Sequence, residues 1–300
     1  MSRFASSPAT IRLGDLEVPR LGFGAMQLPG AGVWGEPKDP ERARAVLRRV
    51  NELGIGLIDT SWYYGPLVAN RLIAEALHPY PKGLVIATKL GGKRTPDKGW
   101  KSAVRPEELQ RGCEEDLQSL RLEQVDVCHL RWMHSGEVSF TESLDAMIAL
   151  KSQGKVRHIG LSNVTLAQLR LALERTPIVS VQNLYNVAAG ERRLAALAHA
   201  VVHEQEQLVD LCAKRGIAFL PFFPLAVPGG TRPENAALAE VAARHGKSEA
   251  QVALAWLLAR SPVILPIPGT SSPEHLEENW AARELELTAD DMAAISRARS

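Results

Sequence analysis

Eight short apolar runs, each followed by a longer segment of helical periodicity, constrain the fold of this 300-residue chain more than any other feature. In chain order the runs are Arg20–Ala25, Gly56–Thr60, Gly83–Lys89, Val125–Arg131, Val156–Ser162, Val179–Leu184, Ile217–Phe222 and Val263–Ile267. They divide the chain into βα units of about 37 residues, and βαβ crossovers are right-handed with parallel strands. The pattern therefore predicts an α/β fold, a (β/α)8 TIM barrel. An open doubly wound sheet is the alternative.

Two segments fall outside the eight-fold count. Residues 10–18 contain alternating apolar residues around Gly14-Asp15, which is typical of a β-hairpin. Residues 188–202 are rich in alanine and have helical periodicity, which indicates a helical insertion after the sixth strand. Neither segment has the length of a domain, so we predict one barrel domain over residues 1–300.

Charge and cysteine content exclude several classes of protein. Lys and Arg number 35 against 34 Asp and Glu, so the chain lacks the basic surplus of nucleic-acid-binding proteins. The three cysteines, Cys113, Cys128 and Cys212, are too few and too widely spaced for a disulfide framework or a thiolate metal site. The apolar runs are too short to span a bilayer. We expect a cytoplasmic protein with no metal, membrane or nucleic-acid partner, and its oligomeric state stays open.

Polar residues stand at the carboxyl ends of the predicted strands. Barrel enzymes place their chemistry at this end of the strands. Strand two ends at Asp59, followed by Tyr64, and strands three and four end at Lys89 and Arg131. A carboxylate, an ammonium group and a phenol at one barrel mouth form an acid/base set.

These residue types can work as a unit. A lysine cation near Tyr64 would stabilise the phenolate and lower its pKa from about 10, and Asp59 paired with Lys89 would hold the ammonium in place. The alternative is a structural ion pair at the barrel rim with Tyr64 as a loop aromatic; the residues alone leave both open. Gly22-Phe-Gly24-Ala-Met-Gln27 lacks the third glycine of a Rossmann fingerprint, and P-loop, zinc-protease and serine-hydrolase motifs are missing from the sequence.

Several motifs occur in the order found in the aldo-keto reductase family, which the chain resembles from about Ile11 to its C-terminal helix. Gly56-Leu-Ile-Asp59-Thr-Ser-Trp-Tyr-Tyr64-Gly65 is similar to the signature with the catalytic aspartate and tyrosine, and Ile86-Ala-Thr-Lys89 to the segment with the catalytic lysine. Gly160-Leu-Ser162-Asn163 and Val181-Gln182 resemble the segments that hold the nicotinamide carboxamide. The resemblance implies Asp59, Tyr64 and Lys89 as catalytic residues.

The resemblance also implies a nicotinamide cofactor bound without a Rossmann domain. Phe222 matches the aromatic residue that stacks on the nicotinamide, although a core position is the alternative for this side chain. NADPH is favoured over NADH, even though Gly269 and His275 stand where NADPH-preferring members often have Lys and Arg; a helix N-terminus would assist phosphate binding. The implied cofactor-binding residues are Gly24, Ala25, Met26, Asp59, Ser162, Asn163, Gln182, Phe222, Phe223, Pro224, Leu225, Gly269, Thr270, Ser271, His275, Glu278 and Asn279.

Strand four departs from the family pattern. The family histidine usually lies five residues after an aspartate, and here Asp126 plus five is Arg131. His129 lies on the same strand face, roughly 6.7 Å deeper, as either a shifted substitute or a core histidine. Arg131 itself could be a donor to the carbonyl oxygen, a charge partner for substrate or cofactor, or a rim salt bridge. As a fixed cation it would favour the phenolate of Tyr64, and with it alcohol oxidation.

Two loops, Pro29–Pro37 after strand one and Gly91–Arg105 after strand three, are expected to shape the substrate pocket. Trp34, Trp62 and Trp132 are the candidates for apolar pocket walls, because ligand pockets are mostly apolar and aromatic. Gly91–Arg105 is interpreted as a long loop whose lysines are solvated.

Two functions follow from the sequence. The first is an NADPH-dependent oxidoreductase that transfers a hydride to the carbonyl of a small aldehyde or ketone, with Tyr64 as the proton donor and reversible alcohol oxidation possible. The alternative is a nicotinamide-nucleotide-binding, redox-sensing or regulatory protein with little turnover, which the altered residue Arg131 keeps open.

Overall fold

Parallel strands form the centre of the fold. The computed structural model describes residues 8–133, 136–187, 201, 203–225 and 236–298. Within these residues the strands are β1 (Thr10–Leu13), β2 (Leu16–Pro19), β3 (Phe23–Gly24), β4 (Leu57–Asp59), β5 (Val85–Arg94), β6 (Trp100–Ala103), β7 (Val125–Arg131), β8 (Val156–Ser162), β9 (Ile178–Gln182) and β10 (Ala218–Phe219).

Helices follow the strands, as the periodicity predicts. They are α1 (Pro40–Glu52), α2 (Val68–Leu77), α3 (Pro106–Leu120), α4 (Phe140–Ser152), α5 (Leu166–Leu173), α6 (Gln205–Arg215), α7 (Ala236–His245), α8 (Glu249–Arg260), α9 (Pro273–Ala281) and α10 (Ala289–Arg297). Side chains cap the first turns of α1 and α8: Asp39 accepts a hydrogen bond from the Arg42 N–H, and Ser248 and Gln251 make a capping box. In the described part of the chain, no helix has the length and apolar character needed to cross a membrane.

The parallel sheet closes into a barrel. Its strands are ordered β10-β9-β8-β7-β5-β4-β3, and neighbours along this path pair in parallel. Residues 263–268 lie between the two ends: Leu265 N–H donates to Phe219 O at 2.9 Å, and Gly22 N–H donates to Pro266 O at 2.9 Å. The (β/α)8 prediction is confirmed, and the open sheet is excluded. The predicted eighth strand is irregular because Pro266 and Pro268 have no N–H to donate.

An antiparallel hairpin precedes the barrel, as predicted. β1 pairs with β2 around Gly14, which has a left-handed backbone with φ of 69°. Leu13 and Val18 of the hairpin are fully buried against apolar residues of the barrel strands. The hairpin therefore contributes directly to the barrel core. The predicted insertion, 188–202, lies outside the described residues apart from 201, and the single domain over 1–300 stays a prediction.

The segment after the third barrel strand is a hairpin and not the long loop that we expected. β5 continues to Arg94 and pairs antiparallel with β6, from Gly91 opposite Ala103 to Arg94 opposite Trp100. Lys98 in the connecting turn has a left-handed backbone with φ of 65°. The charge pattern of the segment predicted a loop with solvated lysines. It gave no indication that residues 91–94 and 100–103 pair as antiparallel strands.

The cysteines are free and buried, as their number and spacing predict. Burial raises the pKa of Cys113 and of Cys212 to about 12, so both thiols stay neutral. These side chains pack as small apolar groups within the core between strands and helices.

One layer of the barrel interior depends on a glycine. Lys89, His129, Gly160 and Ser180 lie side by side on adjacent strands. A Cβ atom on Gly160 would lie 2.4 Å from Cδ2 of His129 and 2.6 Å from Oγ of Ser180. Gly160 therefore provides the space that the buried imidazole of His129 occupies.

Replacing this glycine should destabilise the barrel. We expect Gly160→Ala to lower the free energy of unfolding by about 1 to 3 kcal/mol, because the added methyl group overpacks the layer. Urea denaturation measures the change. The control is Gly92→Ala on β5, whose new Cβ would find ordinary contacts at 3.4 Å or more. Equal stability of Gly160→Ala and the parent protein would contradict this description of the layer.

Candidate active site

The predicted catalytic side chains converge at the carboxyl ends of the strands, around a cavity of about 540 Å³. Strands β5, β7 and β9 each contribute one polar residue, and the turn after β4 contributes a phenol. The catalytic candidates that line the cavity are Tyr64, Lys89 and Arg131, and Gln182, a predicted cofactor-binding residue, lines it beside them.

A buried ion pair forms the floor of the site. The Lys89 Nζ donates to Asp59 Oδ2 at 2.7 Å and to the Thr60 carbonyl at 2.8 Å. The second carboxylate oxygen, Asp59 Oδ1, accepts a hydrogen bond from Gln182 Nε2 at 2.8 Å. Lys89 and Asp59 are each 3% exposed. Because both charged groups are buried and hydrogen-bonded on several sides, the ammonium and the carboxylate are fixed in position.

Tyr64 lies beside this pair, in the turn between β4 and α2. The Lys89 Nζ is 4.8 Å from the centre of its ring. Burial, together with the negative charge of Asp59, raises the pKa of Tyr64 well above its usual value, while Arg131 lowers it to a smaller extent. The expectation of a lowered pKa and a phenolate is therefore wrong. Asp59 neutralises the Lys89 cation, so the desolvation of the phenol decides the direction of the shift.

Arg131 extends into the same cavity one layer above His129. Its Nη1 donates to Ser162 Oγ at 3.4 Å, and its guanidinium carbon lies 5.2 Å from the centre of the Phe222 ring. The Gly91 backbone, with φ of 106°, approaches so closely that a Cβ there would lie 2.2 Å from the Arg131 carbonyl oxygen. A guanidinium group stays charged at any physiological pH. Arg131 therefore provides a permanent cation and hydrogen-bond donor at the cavity.

His129 is a core residue and not a shifted substitute for the missing histidine. Its Nδ1 lies 3.2 Å from the Thr88 carbonyl oxygen, and its Nε2 lies 2.9 Å from Ser180 Oγ. Burial lowers the pKa of His129 to about 4, so the ring is neutral at pH 7. Both ring nitrogens have partners within the barrel, which favours the structural alternative.

Ser162, Asn163 and Gln182 lie on adjacent strands as predicted, but their side chains already have protein partners. Asn163 Nδ2 donates to the Trp132 carbonyl at 2.8 Å, and Asn163 Oδ1 accepts from the Val201 N–H at 2.7 Å. Asn163 therefore connects two loops. Gln182 remains at the cavity surface beside Asp59.

A second cavity of about 230 Å³ lies beside the first, and Gln27 lines both. The two cavities make up an extended trough. The predicted cofactor residues that line the second cavity are Pro224, Leu225, Gly269, Thr270, His275, Glu278 and Asn279. Those that line the first cavity are Met26, Gln182, Phe222, Phe223 and Ser271. The predicted cofactor-binding residues that follow β10 and those near the start of α9 thus line one continuous surface.

Gly24 and Ala25 lie beneath this trough and line neither cavity. A Cβ on Gly24 would lie 2.6 Å from the Ile267 carbonyl oxygen, and Ala25 is fully buried. Gly24 allows β3 to pack closely against the closing segment, which is a structural role. Their assignment as cofactor-binding residues stays a prediction.

None of the three tryptophans predicted as pocket walls lines either of the two cavities that the described residues form. Trp132 follows Arg131 on the chain, and strand alternation turns its ring outward, 5.4 Å from the Phe140 ring. Trp62 packs toward Gly112 on α3. Trp34 contacts the guanidinium group of Arg94.

Other side chains form the apolar part of the cavity. Besides Met26, Phe222 and Phe223, which were predicted as cofactor-binding residues, they include Val33, Tyr63, Trp100 and Met133, none of which was among the predicted site residues. The sequence could have indicated Tyr63, because it directly precedes the predicted catalytic residue Tyr64. The other three belong to loops and to the β5–β6 hairpin, whose pairing places them.

A buried polar network lies behind the ion pair. The Thr60 hydroxyl donates to Asn70 Oδ1 at 2.7 Å, and Asn70 Nδ2 donates to Asp116 Oδ1 at 2.7 Å. The Thr88 hydroxyl donates to Asp116 Oδ2 at 2.7 Å. The network links α2 and α3 to Thr60 and Thr88, which flank the ion pair in the sequence. Burial raises the pKa of Asp116 to about 7 despite these hydrogen bonds and the Lys89 charge.

Comparisons with known proteins agree with this site. The model of the Aldo/keto reductase family matches residues 20–300. The chain belongs to this family. It is 44% identical over 295 residues to pyridoxine 4-dehydrogenase of Escherichia coli, an alignment that covers 96% of this chain and 98% of the relative.

Solved structures give the same result. A thermostable aldo-keto reductase in complex with the inhibitor epalrestat is 27% identical, with a TM-score of 0.79 and coverage of 99% of this chain and all of that chain. An aldo/keto reductase from Klebsiella pneumoniae in complex with NADP and acetate is 25% identical, with a TM-score of 0.75 over 96% of this chain and 94% of that one. The predicted family, its barrel fold and an oxidoreductase activity are confirmed.

The Asp116 network yields a prediction of pH-dependent stability. The pKa of this carboxyl group is about 7 in the folded protein against 3.8 as the reference value, so the folded state holds a proton that the unfolded chain releases. The stability from this proton is complete below about pH 4 and is lost as the pH rises to about 7. Relative to Asp116→Asn, the parent protein should lose roughly 1 kcal/mol of unfolding free energy per pH unit across this window.

Urea denaturation of both proteins across this pH range measures the difference. Asp145→Asn, which changes an exposed carboxylate on α4, is the surface control. A constant stability difference between the parent protein and Asp116→Asn would contradict the assignment.

Proposed function

We propose that this protein is an NADPH-dependent oxidoreductase that reduces the aldehyde of a ring-bearing substrate, with Tyr64 as the proton donor. The observation that carries the proposal is a neutral phenol held beside a buried Lys89–Asp59 pair in the cavity. The raised pKa of Tyr64 keeps its proton available at neutral pH, and this favours carbonyl reduction over alcohol oxidation.

The trough has the chemistry that a nicotinamide dinucleotide requires. Phe222 offers an aromatic face at the cavity, and Pro224 and Leu225 provide apolar surface beside it. Thr270 and His275 supply polar groups near the start of α9, where the free N–H groups of a helix favour a phosphate. These residues would hold the cofactor, which supplies the hydride when bound. The Klebsiella relative with bound NADP supports NADPH as the form used.

The Lys89–Asp59 pair positions the proton donor. Two of the three Lys89 ammonium protons are bound by Asp59 and the Thr60 carbonyl, and Nζ lies 4.8 Å from the centre of the Tyr64 ring. As the phenol gives up its proton, this ammonium stabilises the phenolate that forms. Gln182 prevents rotation of the Asp59 carboxylate. The pair thus stabilises the Tyr64 phenolate that forms when the proton is donated, although Tyr64 itself is neutral before the reaction.

Arg131 takes the position of the family histidine as a donor to the substrate oxygen. Its guanidinium group lies between Ser162 and the face of Phe222, which orients the planar group across the cavity. An oriented cation stabilises negative charge that develops on a carbonyl oxygen as it receives a hydride. Arg131 therefore replaces the family histidine: its positive charge stabilises the substrate oxygen that a histidine would otherwise bind through a hydrogen bond.

The substrate proposal rests on the relative and on the shape of the cavity. The Escherichia coli relative is a pyridoxine 4-dehydrogenase, and we propose that this chain interconverts pyridoxine and the corresponding 4-aldehyde. Tyr63, Trp100 and Met133 give the cavity an apolar and aromatic wall that suits a flat ring. A cytoplasmic location stays a prediction of the sequence.

Removing the Tyr64 hydroxyl tests the proton donor. We expect Tyr64→Phe to lower kcat for aldehyde reduction by about 10² to 10⁴ while NADPH affinity is unchanged, since the hydroxyl acts only in the chemical step. The loss of NADPH absorbance gives the rate, and quenching of tryptophan fluorescence gives the affinity. The control is Tyr80→Phe, because the Tyr80 hydroxyl donates to the Leu120 carbonyl away from the cavity.

The same experiment separates the two functions. Tight NADPH binding by the parent protein without turnover of any aldehyde would favour the regulatory alternative. Retention of most of the rate by Tyr64→Phe would show that another group donates the proton.

A further inference from the structure

Arg94, at the end of β5, uses its guanidinium group to bind four main-chain carbonyls. Its Nη1 donates to the Val33 carbonyl at 2.6 Å, and its Nη2 donates to the Gly32 carbonyl at 3.1 Å. In the other direction, Nη2 also donates to the Lys98 carbonyl at 2.7 Å, and Nε donates to the Gly99 carbonyl at 3.2 Å. One side chain therefore joins two separate loops.

Two indole rings enclose the same guanidinium group. Its central carbon lies 4.1 Å from the centre of the Trp100 ring and 5.3 Å from the centre of the Trp34 ring. Both distances lie within the range of cation–π contacts. We call Arg94 with Trp34 and Trp100 the Arg94 clasp. Burial lowers the pKa of Arg94, but a guanidinium group retains its charge at neutral pH.

The clasp holds loop conformations that are unfavourable on their own. Val33 and Lys98 both have left-handed backbones, with φ of 57° and 65°. Such φ values carry an energetic cost for residues with a side chain, above all for a β-branched residue such as Val33. The four hydrogen bonds from Arg94 lie at these two positions and at the glycines beside them, so they offset the strain.

Both clasped segments form the wall of the active-site cavity. Gly30 to Val33 line it from one loop, and Trp100 lines it from the hairpin. The Trp100 ring lies edge-to-face at 5.7 Å from the Tyr63 ring, which lies edge-to-face at 5.4 Å from the Tyr64 ring. The clasp is therefore connected to the proton donor through two aromatic contacts, and it lies outside the reacting centre.

We propose that Arg94 is a specificity-determining positioning residue, which builds the wall that recognises the ring of an aromatic aldehyde or alcohol. The inference rests on the proposed function and deepens it. A ring attached to the reacting carbon extends from Tyr64 toward the wall of Val33 and Trp100. A short aliphatic aldehyde occupies only the space next to Tyr64 and depends less on this wall.

Only an arginine can perform this task at position 94. Its planar fork presents five N–H groups in fixed directions, whereas a lysine ammonium is a compact charge with three donors. A lysine would keep the positive charge but could not bind carbonyls of both loops in the same geometry. The comparison of Arg94→Lys with Arg94→Met therefore separates geometry from charge.

The test compares a ring-bearing aldehyde with a small one. Pyridine-4-carbaldehyde and propanal are reduced with NADPH by the parent protein, Arg94→Met and Arg94→Lys. We expect both variants to raise KM for the aromatic aldehyde, with kcat less affected, and to lower the ratio of kcat/KM for the aromatic over the aliphatic substrate by about tenfold. Lys101→Met, an exposed residue on the same hairpin, is the matched control.

Equilibrium binding keeps the test independent of turnover. Titration calorimetry of pyridoxine into each protein with NADPH present should show about tenfold weaker binding for both Arg94 variants, with NADPH affinity unchanged. Circular dichroism confirms folding of each variant. An unchanged aromatic-to-aliphatic ratio and unchanged pyridoxine affinity would overturn the role of Arg94. Failure of the parent protein to reduce either aldehyde would instead refute the proposed function, and the pyridoxine titration would still decide the role of the clasp.

Discussion

The buried pair of Lys89 and Asp59 is the interaction on which the rest of the site depends. Two opposite charges can be buried only if each is hydrogen-bonded on its remaining sides, and here Thr60 and Gln182 provide those bonds. The barrel supplies these partners because Asp59 on β4, Lys89 on β5 and Gln182 on β9 meet at the same rim. The network through Asp116 then fixes the residues that flank the pair.

Neutralisation within the pair explains why the site suits carbonyl reduction. A lysine cation alone would lower the pKa of Tyr64. Here the negative charge of Asp59 opposes that effect, and burial disfavours the charged phenolate, so the pKa is raised. Arg131 adds a cation at the substrate end of the cavity, where charge develops during the reaction. The two cations of the site therefore have different environments: Lys89 is paired with Asp59, whereas Arg131 contacts Ser162 and the Phe222 ring. The Arg94 clasp shapes the opposite wall and leaves this chemistry unchanged.

Sequence reasoning was sufficient for features that strand periodicity controls. The positions of Asp59, Lys89 and Arg131 at strand ends follow from the alternation of strands and helices. The tryptophans could not be placed in this way, since the orientation of Trp132 depends on which strand face meets the cavity. The hairpin after β5 was missed because its pairing joins residues whose charges indicated a loop. The pKa of Tyr64 depends on burial, which a linear pattern does not contain.

The central claim is that Tyr64 is a neutral acid in the resting site. The most direct measurement is an ultraviolet difference titration of tyrosinate, in which the parent protein is compared with Tyr64→Phe from about pH 6 to about pH 10. The account predicts superimposable curves, because Tyr64 keeps its proton throughout this range. An additional tyrosinate in the parent protein that forms below about pH 10 would contradict the account.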